Sequence, residues 1–131
     1  MTEDQKEYLK KWLLKANEDI AVIDQLSKNQ PESYTGAICY HSQQSVEKFF
    51  KAFLVFNNVD FRKTHDLDYL LNECLKIDKK GFNDIDLKSL SDYGVSVRYP
   101  DDFYIPDLKE TQEYIEIALF VKDTVERKIN L

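Results

Sequence analysis

Apolar residues recur along this chain at spacings of three and four, the period of amphipathic helices and not of half-buried strands. Leu9, Trp12, Leu13, Ala16, Ile20 and Ile23 make one stripe and predict a helix over about 4–27, ended by Asn29-Gln30-Pro31. A second helix is expected to start at Glu32 or Ser33 and run to about residue 57. Ile38, Ser42, Ser45, Val46, Phe49, Phe53 and Phe56 share one side of it, and Phe50 and Leu54 widen that side into an arc. An arc this broad predicts a central position, and the small residues at 42 and 45 leave room for a neighbouring helix. A third helix opens near Thr64 or Asp66, buries Leu67, Leu70, Leu71, Cys74 and Leu75, and stops at Lys79-Lys80-Gly81. A shorter helix is expected over about 86–97, then a loop over 100–106. The last helix follows Asp107 and turns Tyr114, Ile117, Ala118, Val121, Val125 and Ile129 inward. The pattern predicts an all-α single domain over residues 1–131. The expected architecture is an antiparallel up-and-down bundle of four long helices plus one short helix, with the second and last helices at its centre.

Composition sharpens this picture. Glycine and proline number three each, too few turn signals for a many-stranded fold. Eight Tyr, eight Phe and one Trp supply the apolar content that disordered chains lack. The net charge of −6 opposes bulk coating of nucleic acid, because such binding depends on Lys and Arg neutralising phosphates. A local phosphate site remains compatible with it. No run approaches the roughly 20 apolar residues that span a bilayer, and the polar start MTEDQKEYLKKW reads unlike a secretory leader. Cys39 and Cys74 fall inside helical patterns and read as two buried free thiols of a cytoplasmic protein.

Three stretches could carry chemistry. In the first, Gln43 to Ala52, helical geometry places Gln43 and Glu47 at the edge of the apolar arc, with Gln44 and Lys48 on another side beside His41. The plain reading is a Glu47–Lys51 pair one turn apart, with Gln43 bonded to a neighbouring helix. In the second, Lys63-Thr64-His65-Asp66-Leu67, the histidine could contact an anion at a helix start or belong to a cluster that fixes the loop. In the third, Tyr93 to Phe103, Arg98 could grip a phosphate with its fork or pair with Asp101, Asp102 or Glu47. No metal-ligand spacing, Gly-rich phosphate loop or GxSxG motif is present, so neither a metal nor a cofactor is expected.

Taken in order, QQSVEKFFKAFL, KTHDL and the Y-x-x-x-x-RYP stretch ending at Pro100 resemble the HEPN family, specifically its nucleotidyltransferase-partner branch. Trp12, Ala16, Asp19 and Ile20 are similar to the family's opening. The resemblance covers nearly the whole chain. It implies a bundle of about five helices, usually a homodimer, and often a partner for a small nucleotidyltransferase in a toxin–antitoxin pair. Other members are ribonucleases, in which an arginine steadies the scissile phosphate and a histidine four to six residues later moves the proton of the 2′-hydroxyl. Arg98 matches that arginine, but residues 99–105 contain no histidine. The resemblance therefore implies a non-catalytic protein that binds a nucleotide or serves as a partner subunit. A ribonuclease with a displaced base and a dimeric scaffold without ligand are the alternatives. No catalytic residue is assigned. The candidate nucleotide or phosphate site comprises Arg98 as chief cation, with Lys48, His65, Gln44 and Tyr99. The expected partners are a second copy of the chain, a nucleotidyltransferase, and a nucleotide or RNA ligand.

Overall fold

Thr2 and Gln5 close a reciprocal capping box, Gln5 N–H donating to Thr2 Oγ1 at 3.1 Å and Thr2 N–H to Gln5 Oε1 at 2.8 Å. This satisfies two amides that helix geometry orphans and starts α1 (Glu3–Lys28). The computed structural model describes residues 1–94 and 104–129. A single-turn 3-10 helix, Pro31–Ser33, precedes α2 (Thr35–Phe56), so the second helix begins later than Glu32 or Ser33. Asp66 caps α3 (Leu67–Ile77), accepting from Asp68 and Tyr69 N–H. Asp107 caps α4 (Leu108–Lys128), accepting from Glu110 N–H. Among the described residues there is no strand, and no helix is long and apolar enough to cross a membrane.

The wide apolar arc has the consequence expected of it. Ile38, Val46, Phe49, Phe50 and Leu54 of α2 are fully buried, because α1 and α4 pack on α2 while barely touching each other, and α3 and the later 3-10 turns cover the rest. Ser42 and Ser45 are buried too, their hydroxyls donating to the Ile38 and Ser42 carbonyls of their own helix. Small side chains that satisfy themselves locally let a neighbouring helix approach. Cys39 and Cys74 are buried free thiols.

Two expectations need correction. Among the described residues, the segment beginning at Asp86 forms no α-helix. The Asp86 carboxylate accepts from Lys88 N–H at 3.0 Å, Lys88 lies at φ 52°, and a 3-10 helix spans Leu90–Gly94. A local side-chain bond and one left-handed residue there outcompete the helical ladder. The remainder of that expected helix lies outside the described residues. Side-chain contacts fix the directions of α1 and α4 relative to α2. Asp19 and then Trp12 of α1 meet progressively later residues of α2, up to Lys51, so these two helices are antiparallel. In α4, Thr111 meets Cys39 and Lys122 meets Phe49, so α4 runs the same way as α2. Lastly, α4 is not central: Leu119 and Phe120 stand exposed on its outer side.

Candidate functional site

Glu47 lies one turn before Lys51 on α2, and packing buries both: their side chains are 5% and 8% exposed. A buried ion is tolerated only when its partners are complete. Lys51 Nζ donates to Glu47 Oε2 at 3.0 Å. His65, just ahead of α3, brings Nδ1 to 2.8 Å from Glu47 Oε1, and Gln43 Nε2 donates to the same oxygen at 3.4 Å. The Gln43 amide also reaches the His65 carbonyl at 3.4 Å, while Gln44 Nε2 donates to Gln43 Oε1 at 2.7 Å. The carboxylate thus ties α2 to the segment that opens α3. Its histidine keeps a ring 55% exposed.

A second cluster repeats the chemistry on another side of α2. Asp19 of α1 accepts from Lys48 Nζ at 2.7 Å through Oδ2 and lies 2.8 Å from His41 Nδ1 through Oδ1. Asp19 is buried, and the His41 ring is 28% exposed. Each histidine of the chain therefore meets a buried carboxylate that a lysine of α2 also engages.

Near the start of α4, a third carboxylate acts as a clamp. Glu110 accepts from Tyr93 Oη at 2.9 Å and from Tyr104 Oη at 2.6 Å. These bonds join the 3-10 turn and the end of the following loop to α4. Burial first, then the bond to Glu110, pushes the Tyr93 hydroxyl well above its ordinary range.

The candidate residues divide accordingly. His65 and Gln44 belong to the Glu47 network, whereas Lys48 belongs to the Asp19 cluster. Arg98 and Tyr99, and the Asp101-Asp102 doublet, lie outside the described residues. Asp19 was not assigned to a site from the sequence. Its signal was a lone carboxylate on the apolar stripe, between Ala16 and Ile23, where a charge needs a partner.

The family model described as HEPN domain matches residues 9–128. The chain belongs to the HEPN family. This HEPN chain is also similar to the protein named "Putative toxin MJ1304" from Methanocaldococcus jannaschii, at 32% identity over 115 residues, 82% of this chain and 73% of the relative. No solved structure gives a significant match. Within the HEPN domain, the matched span takes in all four histidine and carboxylate partners, Asp19, His41, Glu47 and His65. Chemically, a neutral imidazole at position 65 donates its Nδ1–H to Glu47 and leaves Nε2 able to accept a proton or a hydrogen bond. Among the described residues no group of three His, Cys, Asp or Glu side chains could hold a metal ion.

Proposed function

We propose that this chain is the HEPN component of a two-component, toxin–antitoxin-like pair. In this reading it is a nucleotide-binding protein or partner subunit of a small nucleotidyltransferase, and it does not cleave RNA by itself. One observation carries the reading: the two histidines of the chain, His41 and His65, both precede Arg98, and none follows it. The proton-moving histidine of the family's ribonucleases has no counterpart at its usual place. The toxin name of the relative supports a paired system. Arg98 and Tyr99, with Lys48, His65 and Gln44, are the proposed phosphate contacts. The exposed Leu119 and Phe120 on α4 support a homodimer. Co-expression with the product of the adjacent gene tests the pairing. A small nucleotidyltransferase that co-purifies in fixed stoichiometry is the expected result, and separate elution of the two proteins would contradict it.

A second reading is favoured by the ring exposure of His65. An imidazole oriented by a buried carboxylate and open to solvent is the arrangement a displaced catalytic base requires. This reading makes the chain a ribonuclease that uses His65 together with Arg98.

A further inference from the structure

Along α4, Glu113, Glu116, Ile117 and Phe120 recur at spacings of three and four and so share one face of the helix. The buried stripe of α4 runs elsewhere, through Tyr114, Ala118, Val121 and Val125. The Glu113 to Phe120 face lines a groove of about 410 Å³, and the segment holding Asp84, Ile85 and Asp86 supplies its other wall. Ile85 and Ile117 are half-buried there, while Phe120 is 43% exposed, a large ring left to water. Four carboxylates against one lysine, Lys88, give the groove a net charge of −3. Lys88 is engaged by Glu113 at 3.7 Å. The other three carboxylates meet neutral donors or none: Asp86 accepts from the Lys88 backbone N–H and Glu116 from Gln112 Nε2 at 3.5 Å. Among the described residues, no cation pairs with Asp84, Asp86 or Glu116.

We infer that this groove docks a basic amphipathic helix of a protein partner. Apolar residues three and four apart on such a helix cover Ile117 and Phe120, the way helices seat in apolar grooves. Lysines or arginines beside them meet Asp84 and Asp86 on one wall and Glu116 on the other. Charge selects this occupant, because an acidic or neutral segment would leave three carboxylates without a counter-ion at the contact. A second copy of the chain is disfavoured here. A twofold contact across the groove sets the same three carboxylates of one copy against those of the other. Leu119 lies outside the groove, so its side of α4 is left to self-association. This goes beyond the pairing reading, since it needs neither a nucleotidyltransferase nor Arg98, and a failed co-purification leaves it standing.

The intact protein is titrated into labelled peptides of about 18 residues, long enough to form a helix, and binding is read by fluorescence anisotropy. The first peptide is built of leucine and lysine with leucines three and four apart. The second scrambles the same composition, and the third carries glutamate in place of lysine. Saturable binding of the first is expected with a Kd on the order of 10 μM, at least about tenfold weaker binding of the scramble, and none of the glutamate peptide. Phe120→Ala should weaken the first peptide about fivefold or more, the scale of one lost apolar anchor. Asp84→Asn with Glu116→Gln should weaken it about tenfold. Both sets of positions are exposed, so the variants are expected to melt with the native protein. Glu18→Gln with Asp24→Asn removes the same charge from α1, outside the groove, and should change affinity less than about twofold. A flat titration to millimolar peptide overturns the inference, as does a scramble that binds equally or an α1 variant that loses as much as the groove variant. Light scattering in which Phe120→Ala turns a dimer into a monomer also overturns it, and gives this face to a second copy.

Discussion

His65 Nδ1 lies 2.8 Å from Glu47 Oε1, across 18 residues of sequence, and the carboxylate it meets is buried while its own ring is half exposed. The two partners should therefore respond differently to removal. Glu47→Ala strips the buried Lys51 ammonium of its counter-ion and is expected to destabilise the fold by about 3–5 kcal/mol. His65→Ala removes a ring that water can replace and should cost less than about 1 kcal/mol. Urea unfolding midpoints compare the two. Equal losses would mean that His65, and not Lys51, is the partner that keeps Glu47 stable.

Replacing the buried pair as a unit gives an independent check. Glu47→Leu with Lys51→Met leaves no unpaired charge behind, and swaps of this kind are often neutral or stabilising. The double variant is expected to be more stable than either single variant. A double variant as unstable as the sum of the two singles would show that the pair contributes no coupling.

Gly81 holds the turn after α3 at φ 82°, and a Cβ there would lie 2.8 Å from Thr124 Cγ2 of α4. Gly81→Ala meets both a backbone penalty and a collision, about 2–4 kcal/mol together. Adding Thr124→Ser removes the methyl group and should recover the collision part only. Recovery of the full loss would mean that the left-handed backbone carries no cost here.

Alkaline pH should unfold the protein. Burial pushes the Cys39 thiol from its ordinary 9.0 up to about 11 and raises Cys74 further. Burial and Glu110 raise Tyr93 and Tyr114 above their ordinary 10.0. All four groups are neutral when protonated, and the fold favours that form. Their contribution is complete below the unfolded values and is lost as pH rises through 9 and 10 toward the folded ones. Stability measured across this window should fall steadily. Iodoacetamide at pH 8 should leave both thiols unmodified until the chain unfolds.

Much of this was readable from the sequence, for identifiable reasons. Asp66 and Asp107 announced the starts of α3 and α4, because a cap depends on the adjacent residues alone. The Glu47–Lys51 pair followed from helical spacing. The Asp86 segment misled because its apolar spacing suits a helix, while the Asp86 to Lys88 bond, a two-residue effect, breaks it. The division of Lys48 from His65 was half visible: Lys48 and His41 share a side of α2, but the Asp19 that joins them comes from another helix.

The central claim is that this HEPN protein does not cleave RNA unaided. The most direct measurement incubates the purified protein with single-stranded RNA and with transfer RNA, beside the Arg98→Ala and His65→Ala variants. The account predicts no cleavage above a buffer control by any of the three proteins. Robust cleavage by the native chain that disappears in both variants would contradict it and make His65, oriented by Glu47, the base of a ribonuclease.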